Sequence, residues 1–271
     1  MSAIPPPGQA DGVRDTEIKV VELGDDSPGA AVHHQASLLL EQIWGNSLVE
    51  PGLLRALTHA GNYVTGAYHD GELVGVSVGF FTAEGELHSH ITGVSPAARG
   101  LGVGRALKLH QREWALNHGL HSVVWTFDPL VRRNAHFNLH VLGARPVQYL
   151  QDFYGPMRDE LNDVSPSDRL YVVWDLDAPV PPAPASCAAL VEEGAAVLLG
   201  PGEEHPARLP PQEKLLVLVP EDVERLRAQR PELTARLRFA VRESLEPAMA
   251  AGLRITGITP DGYYVLERGA A

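Results

Sequence analysis

Cysteine is all but missing from this chain of 271 residues, in which Cys187 stands alone. A single thiol closes no internal disulfide, and there is no cysteine cluster to hold zinc, so a reducing cytoplasm is the expected compartment. Basic residues are also scarce. Lys and Arg number 22 against 34 Asp and Glu, a formal charge of −12, and that excess excludes a general affinity for nucleic acid or anionic lipid. Any anionic ligand must be held by a local cluster of cations. A long apolar run is lacking too. A membrane span needs about 20 apolar residues, whereas VEEGAAVLLG is short and charged, and the opening MSAIPPPGQADG has neither the charged start nor the apolar stretch of a secretory signal. No membrane association is expected. What is present is 44% hydrophobic residues spread along the whole chain, enough to bury a core in one large unit or two small ones.

Patterning divides the chain. Residues 1–16 read as a tail, and EIKVVEL from Glu17 to Leu23 as a strand closed by GDDSPG. From Ala30 to Trp44 the apolar residues Val32, Ala36, Leu39, Leu40 and Ile43 recur at helical spacing, and Pro51 opens a second short helix. Tyr63 to Tyr68 and Leu73 to Phe81 flank HDGE as a hairpin, since Asp-Gly supplies the positive φ angles of a tight turn, and Leu87 to Val94 follows as a further strand. A helix with Val103, Leu107, His110 and Trp114 on one face ends near Gly119. Then come a strand from His121 to Phe127, a helix from Val131 to Leu142, a strand from Arg145 to Tyr154 and a final strand from Leu170 to Leu176. The order β-αα-βββ-α-β-α-ββ predicts an α/β (α+β) fold, a mixed and mostly antiparallel sheet with flanking helices, over residues 17–177. APVPPAPA makes 178–187 a proline-rich linker. Residues 188–271 form a smaller α/β unit, with strands at Ala195 to Leu199 and Leu215 to Val219. A helical stretch from Glu221 to Ala250, interrupted at Pro231 and Pro247, then leads to a hairpin about PDG. So small a core is marginal alone, so this unit is expected to dock on the first; it is equally suited to dimerisation, which leaves a homodimer open.

The most informative segment is VSPAARGLGVGRAL, Val94 to Leu107. A strand runs into closely spaced glycines that open a helix, so backbone N–H groups and the positive helix end converge on one point suited to phosphate. Gly100, Gly102 and Gly104 permit the tight turn and close approach of a pyrophosphate, while Arg99, Arg105 and Lys108 bring local positive charge. A Walker loop would continue its Gly-Lys with Ser or Thr, whereas this one ends Gly104-Arg105-Ala106. A dinucleotide fingerprint would need glycine where Arg105 stands.

At these residues the chain resembles the GNAT superfamily of acyl-CoA-dependent N-acyltransferases, whose loop reads Arg or Gln, two residues, Gly, one residue, then Gly or Ala; here Arg99, Gly102 and Gly104. The resemblance implies that the loop from Arg99 through Gly100, Leu101, Gly102, Val103 and Gly104 to Arg105 holds the CoA pyrophosphate. It also implies that His88 to Val94 splays from the next strand to pair with pantetheine at Val94, and that Asn134 on the following helix adds a contact. The blocks LHSH, LKLHQREWAL, WTFDPLVRRNAHFNLHVLGA, FYGPMRDELN and SDRL, with AGLRITGI and GYYVLER near the end, resemble a less typical branch of that superfamily. That branch has a C-terminal extension and is associated with N-succinylamino acid racemases. It implies acetyl-CoA or succinyl-CoA as donor and a small amine, an amino acid among the options, as acceptor.

Acyl transfer from a thioester to an amine needs an unprotonated amine, donors for the developing charge on the carbonyl oxygen, and a proton for the departing thiolate. The family's usual acid is a Tyr four residues before the glycine that ends the helix, and here that position is Leu139. His140 and Tyr154 are the nearest alternatives, with Tyr154 preferred. His88 and His90 alternate with Ser89 on the strand that would meet the thioester, so either is placed to take the amine proton; buried, hydrogen-bonded histidines are the plainer reading. Asp128, closing WTFDP, is suited to attract an ammonium acceptor or to cap the next helix. The twelve histidines include His136 and His140 at one-turn spacing, yet there is no HExxH, so no metal is expected and a zinc hydrolase ranks last. Arg238 and Arg242 share a helix face, suited to a substrate carboxylate or, with Glu243 and Glu246 nearby, to solvent. The sequence thus points to direct transfer in a ternary complex, the alternative being a non-catalytic protein that senses acyl-CoA.

Overall fold

A computed structural model describes residues 17–24, 31–155 and 166–269. The tail at 1–16 and the greater part of FYGPMRDELN, residues 156–162, lie outside them. Strands β1 (Lys19–Glu22), β2 (Val64–His69), β3 (Glu72–Phe81), β4 (Leu87–Val94), β5 (Ser122–Phe127), β6 (Arg145–Leu150) and β7 (Arg169–Asp175) form one sheet in the order β1-β2-β3-β4-β5-β7-β6. Every neighbouring pair is antiparallel except β4 with β5. The β2–β3 turn follows from its dipeptide, since Asp70 and Gly71 take φ 52° and 82°.

Helices α1 (Ala31–Trp44) and α2 (Pro51–His59) bury Ala36, Leu39, Leu40 and Leu54 against Val64, Val76 and Val78 of the sheet. Helix α3 (Val103–Asn117) packs Val103 and Leu107 against Ala67. It lies so close to β3 that a Cβ on Gly75 would stand 2.8 Å from Val103 Cγ1.

Helices α5 (Cys187–Glu192), α6 (Val223–Gln229) and α7 (Pro231–Ala250) accompany a second sheet. Its strands β8 (Ala196–Leu199), β9 (Lys214–Leu218), β10 (Leu253–Ile258) and β11 (Tyr263–Arg268) run in the order β10-β11-β9-β8. Trp125, Tyr149 and Leu170 of the first sheet and Leu215, Val241, Leu245 and Tyr264 of the C-terminal segment belong to one continuous buried cluster. The two sheets therefore share a core.

Three expectations need correction. The helix foreseen from Val131 to Leu142 is α4 (Arg132–His136) followed by a π turn at Phe137–Val141, where Leu142 N–H reaches back to Phe137 O at 3.0 Å. The strand foreseen to Tyr154 stops at Leu150, because the chain turns at Asp152, whose φ is 43°. Pro247 does not interrupt α7: it lies inside the final turn, forfeiting the bond that an N–H there would give to Glu243, and the helix runs on to Ala250.

Candidate active site

β4 leaves the sheet through a short 3-10 turn, Pro96–Ala98, and reaches Arg99. Gly100 and Gly102 then take φ 85° and 79°, the left-handed region that side chains with a Cβ avoid. Between them Leu101 points outward, while Val103 is buried and anchors the first turn of α3. The first bond of that helix runs from Ala106 N–H to Gly102 O at 2.9 Å, so the amides of Val103, Gly104 and Arg105 stand ahead of the helical ladder. A Cβ on Gly104 would find no protein atom nearer than Val94 Cγ2 at 3.9 Å. The loop is thus a backbone cradle of leading helix amides, an arrangement suited to an anion, flanked by the exposed Arg99 and Arg105.

Lys108 does not join them. It is buried, with Nζ donating to Ser89 Oγ at 2.8 Å and Gln111 Oε1 at 3.0 Å and lying 4.0 Å from the centre of the Trp125 ring. Burial lowers its pKa to about 7. Its spacing from Gly104 turns it beneath the sheet.

β4 and β5 pair only at Leu87 with Val123 and His88 with Val124. Beyond those residues the strands part, as the resemblance implies, and a cavity of about 620 Å³ opens there. Its wall runs from Arg99 along Val94, Gly93 and Thr92 to His90, and includes Thr126, Phe127 and Asp128 from the far strand. Trp44 closes the near side; it packs so tightly on β4 that a Cβ on Gly93 would stand 2.7 Å from its ring. Val94, Arg99 and Asn134 all line this cavity.

A bulge separates the two histidines. Val78 pairs with Ile91 and Gly79 with Ser89, which leaves His90 as the extra residue of β4. His90 lines the cavity, and desolvation there lowers its pKa, so the ring is neutral near pH 7. His88 stacks on Phe80 at 4.9 Å and lies off the cavity wall. Burial, then His90 and Lys108, bring its pKa down to about 4. His88 is thus packed on Phe80 with the His90 ring 6.0 Å away, and of the two only His90 lines the cavity.

Asp128 reaches the cavity wall but is committed elsewhere. Its Oδ1 accepts Leu130 N–H at 2.9 Å, and its two oxygens take Arg238 at 3.1 and 2.7 Å. Burial alone would raise its pKa, but the Arg238 charge and these bonds outweigh it and hold the carboxyl below its usual range. A carboxylate so held is a poor proton acceptor. The same bonds overturn the solvent-facing alternative for α7: Arg238 is buried on Asp128, and Arg242 Nε donates to the buried Asp168 at 2.8 Å.

Tyr154 lies at the rim, 44% exposed, with its hydroxyl 3.1 Å from Thr126 Oγ1 and Arg169 5.2 Å from its ring. Leu139, where the family's acid would stand, is buried. His140 is turned away toward β10, its Nε2 2.8 Å from Ile258 O. His136 and His140 face each other with ring centres 5.5 Å apart, and among the described residues no group of three or more His, Cys, Asp or Glu gathers.

Sequence reasoning did not single out several residues of the wall. Arg133 and Glu224 form a two-pronged pair at 2.8 and 2.5 Å, and Arg169 and Arg227 stand close to Asp128. Glu224 and Arg227 come from α6, so the C-terminal segment supplies part of the cavity. Arg169 lies in the SDRL block; α6 carries no motif that would have marked Arg227.

Residues 30–143, from α1 through the cradle to the end of the π turn, match the acetyltransferase (GNAT) family model. The chain carries a GNAT acetyltransferase domain. Among solved structures the chain is similar to the ribosomal-protein-S18-alanine N-acetyltransferase from Escherichia coli, at 12% identity over 60% of this chain and 96% of that one, with a TM-score of 0.47. It is also similar to a diaminobutyrate acetyltransferase from Paenibacillus lautus, solved with L-2,4-diaminobutyric acid and coenzyme A, at 16% identity over 61% and 99%, again with a TM-score of 0.47. No curated protein sequence matches the chain. The family match ends before β6, so the second sheet and α6, with its share of the cavity, lie outside it. No helix among the described residues is long and apolar enough to cross a membrane.

Proposed function

We propose that the protein is an acyl-CoA-dependent N-acyltransferase that joins an acetyl or succinyl group to the amine of a small acceptor, an amino acid in the leading case, by direct attack in a ternary complex. The observation that carries this reading is the parting of β4 from β5 beside the glycine cradle, with one cavity running from Arg99 to His90. CoA supplies the activated thioester. Amides of Val103, Gly104 and Arg105 receive its diphosphate, and Arg99 adds charge at the cavity mouth. The β4 edge at Val94 and the Asn134 side chain position the pantetheine arm. Backbone N–H groups of β4 near Val94 donate to the carbonyl oxygen as negative charge develops on it. His90, neutral at pH 7, takes the proton of the incoming amine directly or through water, and Tyr154 is the hydroxyl on the wall that can return a proton to the thiolate. Holding both reactants in one cleft contributes much of the rate by itself, at best about 7 to 11 kcal/mol.

The choice of amino acid and of succinyl rests on the sequence blocks shared with the racemase-associated branch. The buried Leu139 favours a second reading, a protein that binds acyl-CoA without turnover, since the usual acid is missing. To separate the two, purified protein is mixed with acetyl-CoA or succinyl-CoA and a panel of L- and D-amino acids and polyamines, with released thiol and product mass recorded. Acceptor-dependent N-acylation is the expected result. CoA binding with no turnover across the panel would support the sensor, and no CoA binding would remove the assignment of the cradle.

A further inference from the structure

Lys108 stands one helical turn behind Gly104 of the cradle, yet its side chain is buried under the sheet. Nζ donates to Ser89 Oγ at 2.8 Å and to Gln111 Oε1 at 3.0 Å and lies 4.0 Å from the centre of the Trp125 ring. These partners are all neutral, and an amine buried against neutral groups costs folding stability. Gln111 is buried beside it with Nε2 lacking a hydrogen-bond partner among the described residues, so this amide is turned to serve Lys108. β4 and β5 pair at Leu87 with Val123 and at His88 with Val124 and then part. One step further in the same register would set Ser89 beside Trp125, and those are the two strand residues that Lys108 touches. The bulge at His90 follows at once in β4. A single side chain of α3 thus reaches both strands at the root of their fork, while the first turn of the same helix carries the amides of the cradle.

We propose that Lys108 is a positioning residue for acyl transfer: it braces α3 against the point where β4 and β5 part, and so fixes the span between the diphosphate cradle and the place of the thioester in the fork. This rests on the acyltransferase reading and adds a residue to it that touches neither substrate. The rest of the contact between α3 and the sheet is apolar, Val103 and Leu107 on Ala67, and apolar burial has no preferred direction, whereas hydrogen bonds fix both distance and angle. The cavity runs from Arg99 at the cradle to His90 past the fork, and one ligand must satisfy both ends. A shift of about 1 Å between them moves the carbonyl carbon away from the amine, and a misplacement of that size can lower a rate about a hundredfold.

The test compares wild type with Lys108→Met, Ser89→Ala and the double variant, each checked for folding by its melting curve. Calorimetry gives the affinity for CoA and for phosphoadenosine diphosphate, the nucleotide end of CoA without its pantetheine arm, and kcat is measured with acetyl-CoA and the amine that the panel above identifies. In Lys108→Met the nucleotide should bind as in wild type, CoA should lose about tenfold in affinity, and kcat should fall about tenfold or more while KM for the amine stays within about twofold. Ser89→Ala should show the same pattern in smaller measure, and the double variant should be no worse than Lys108→Met, because Ser89 acts through Lys108. Equal weakening of nucleotide and CoA would overturn the proposal, since Lys108 would then support the cradle alone. A lower melting temperature with unchanged affinities and kcat would overturn it as well, leaving a purely structural lysine. If Lys108→Met does not fold, Ser89→Ala decides by the same split. Wild type that binds CoA and transfers nothing would sink the acyltransferase reading, and the affinity split would then judge the brace by itself; wild type that binds no CoA would sink both.

Discussion

His90 is the extra residue of a bulge in β4, yet its ring stays 6.0 Å from that of His88 and both pack on Phe80. The alternating pattern HSH is plain in the sequence, but a bulge is a property of the pairing with β3, so it was not legible there that of the two only His90 would line the cavity. If neutral His90 accepts the amine proton, kcat/KM for the acceptor falls as pH drops through its pKa, and burial sets that limb below the ordinary 6.5. His90→Gln should lower kcat/KM about a hundredfold and flatten the limb, as read by thiol release across about pH 5 to 8. Lys108 makes a second prediction at this scale. Its folded pKa of about 7 lies far below the ordinary 10.5. The unfolded chain therefore binds the proton that the folded chain lacks between those values, and stability from this group rises with pH across that window. In Lys108→Met the urea midpoint should lose this rise between about pH 7 and 10.

The cradle is the element that the sequence described best. Spaced glycines between a strand and a helix have few other uses, because the positive φ angles at Gly100 and Gly102 and the leading amides of α3 follow from local chain geometry. Gly102→Ala forces a Cβ into the left-handed region at a cost of roughly 1 to 2 kcal/mol. The expected outcome is a several-fold weaker CoA affinity in calorimetry, with the acceptor KM little changed. The helix after β5 was less legible. Its apolar spacing fits a continuous helix, and the π turn at Phe137–Val141 arises where Leu139 is buried in the common core and His140 is drawn to Ile258 of β10. That partner lies 118 residues away, beyond the reach of any local pattern.

At the scale of the molecule, two arginines one turn apart on α7 fasten the C-terminal segment to carboxylates of the first sheet. Arg238→Ala takes two charge-assisted hydrogen bonds from the buried Asp128, which keeps Arg227 at 3.8 Å and the Leu130 N–H, so the cost in denaturant unfolding should be about 3 kcal/mol. The pH dependence has a definite sign. Asp128 is held below its ordinary 3.8, so its contribution is present above that value and fades as pH falls through the lower folded value. The gap between wild type and Arg238→Ala should be full at neutral pH and narrow as pH falls, beginning above 3.8, because burial without the Arg238 charge raises the Asp128 pKa in the variant.

Chain order, hairpins, the α/β layering and the glycine cradle were determined by the sequence alone, since each depends on periodicity or turn chemistry within a few residues. The tertiary structure decided which polar residues meet. Asp128 is one residue in a strand-end motif until Arg238 arrives on it from α7, and Lys108 reads as loop charge until its helix turns it under β4. Arg227 becomes part of the cavity only because α6 is packed against the domain through a shared core. Local backbone preferences act over a turn or two of chain, whereas burial and charge pairing act through space, and a single sequence does not say which distant residues will share one site.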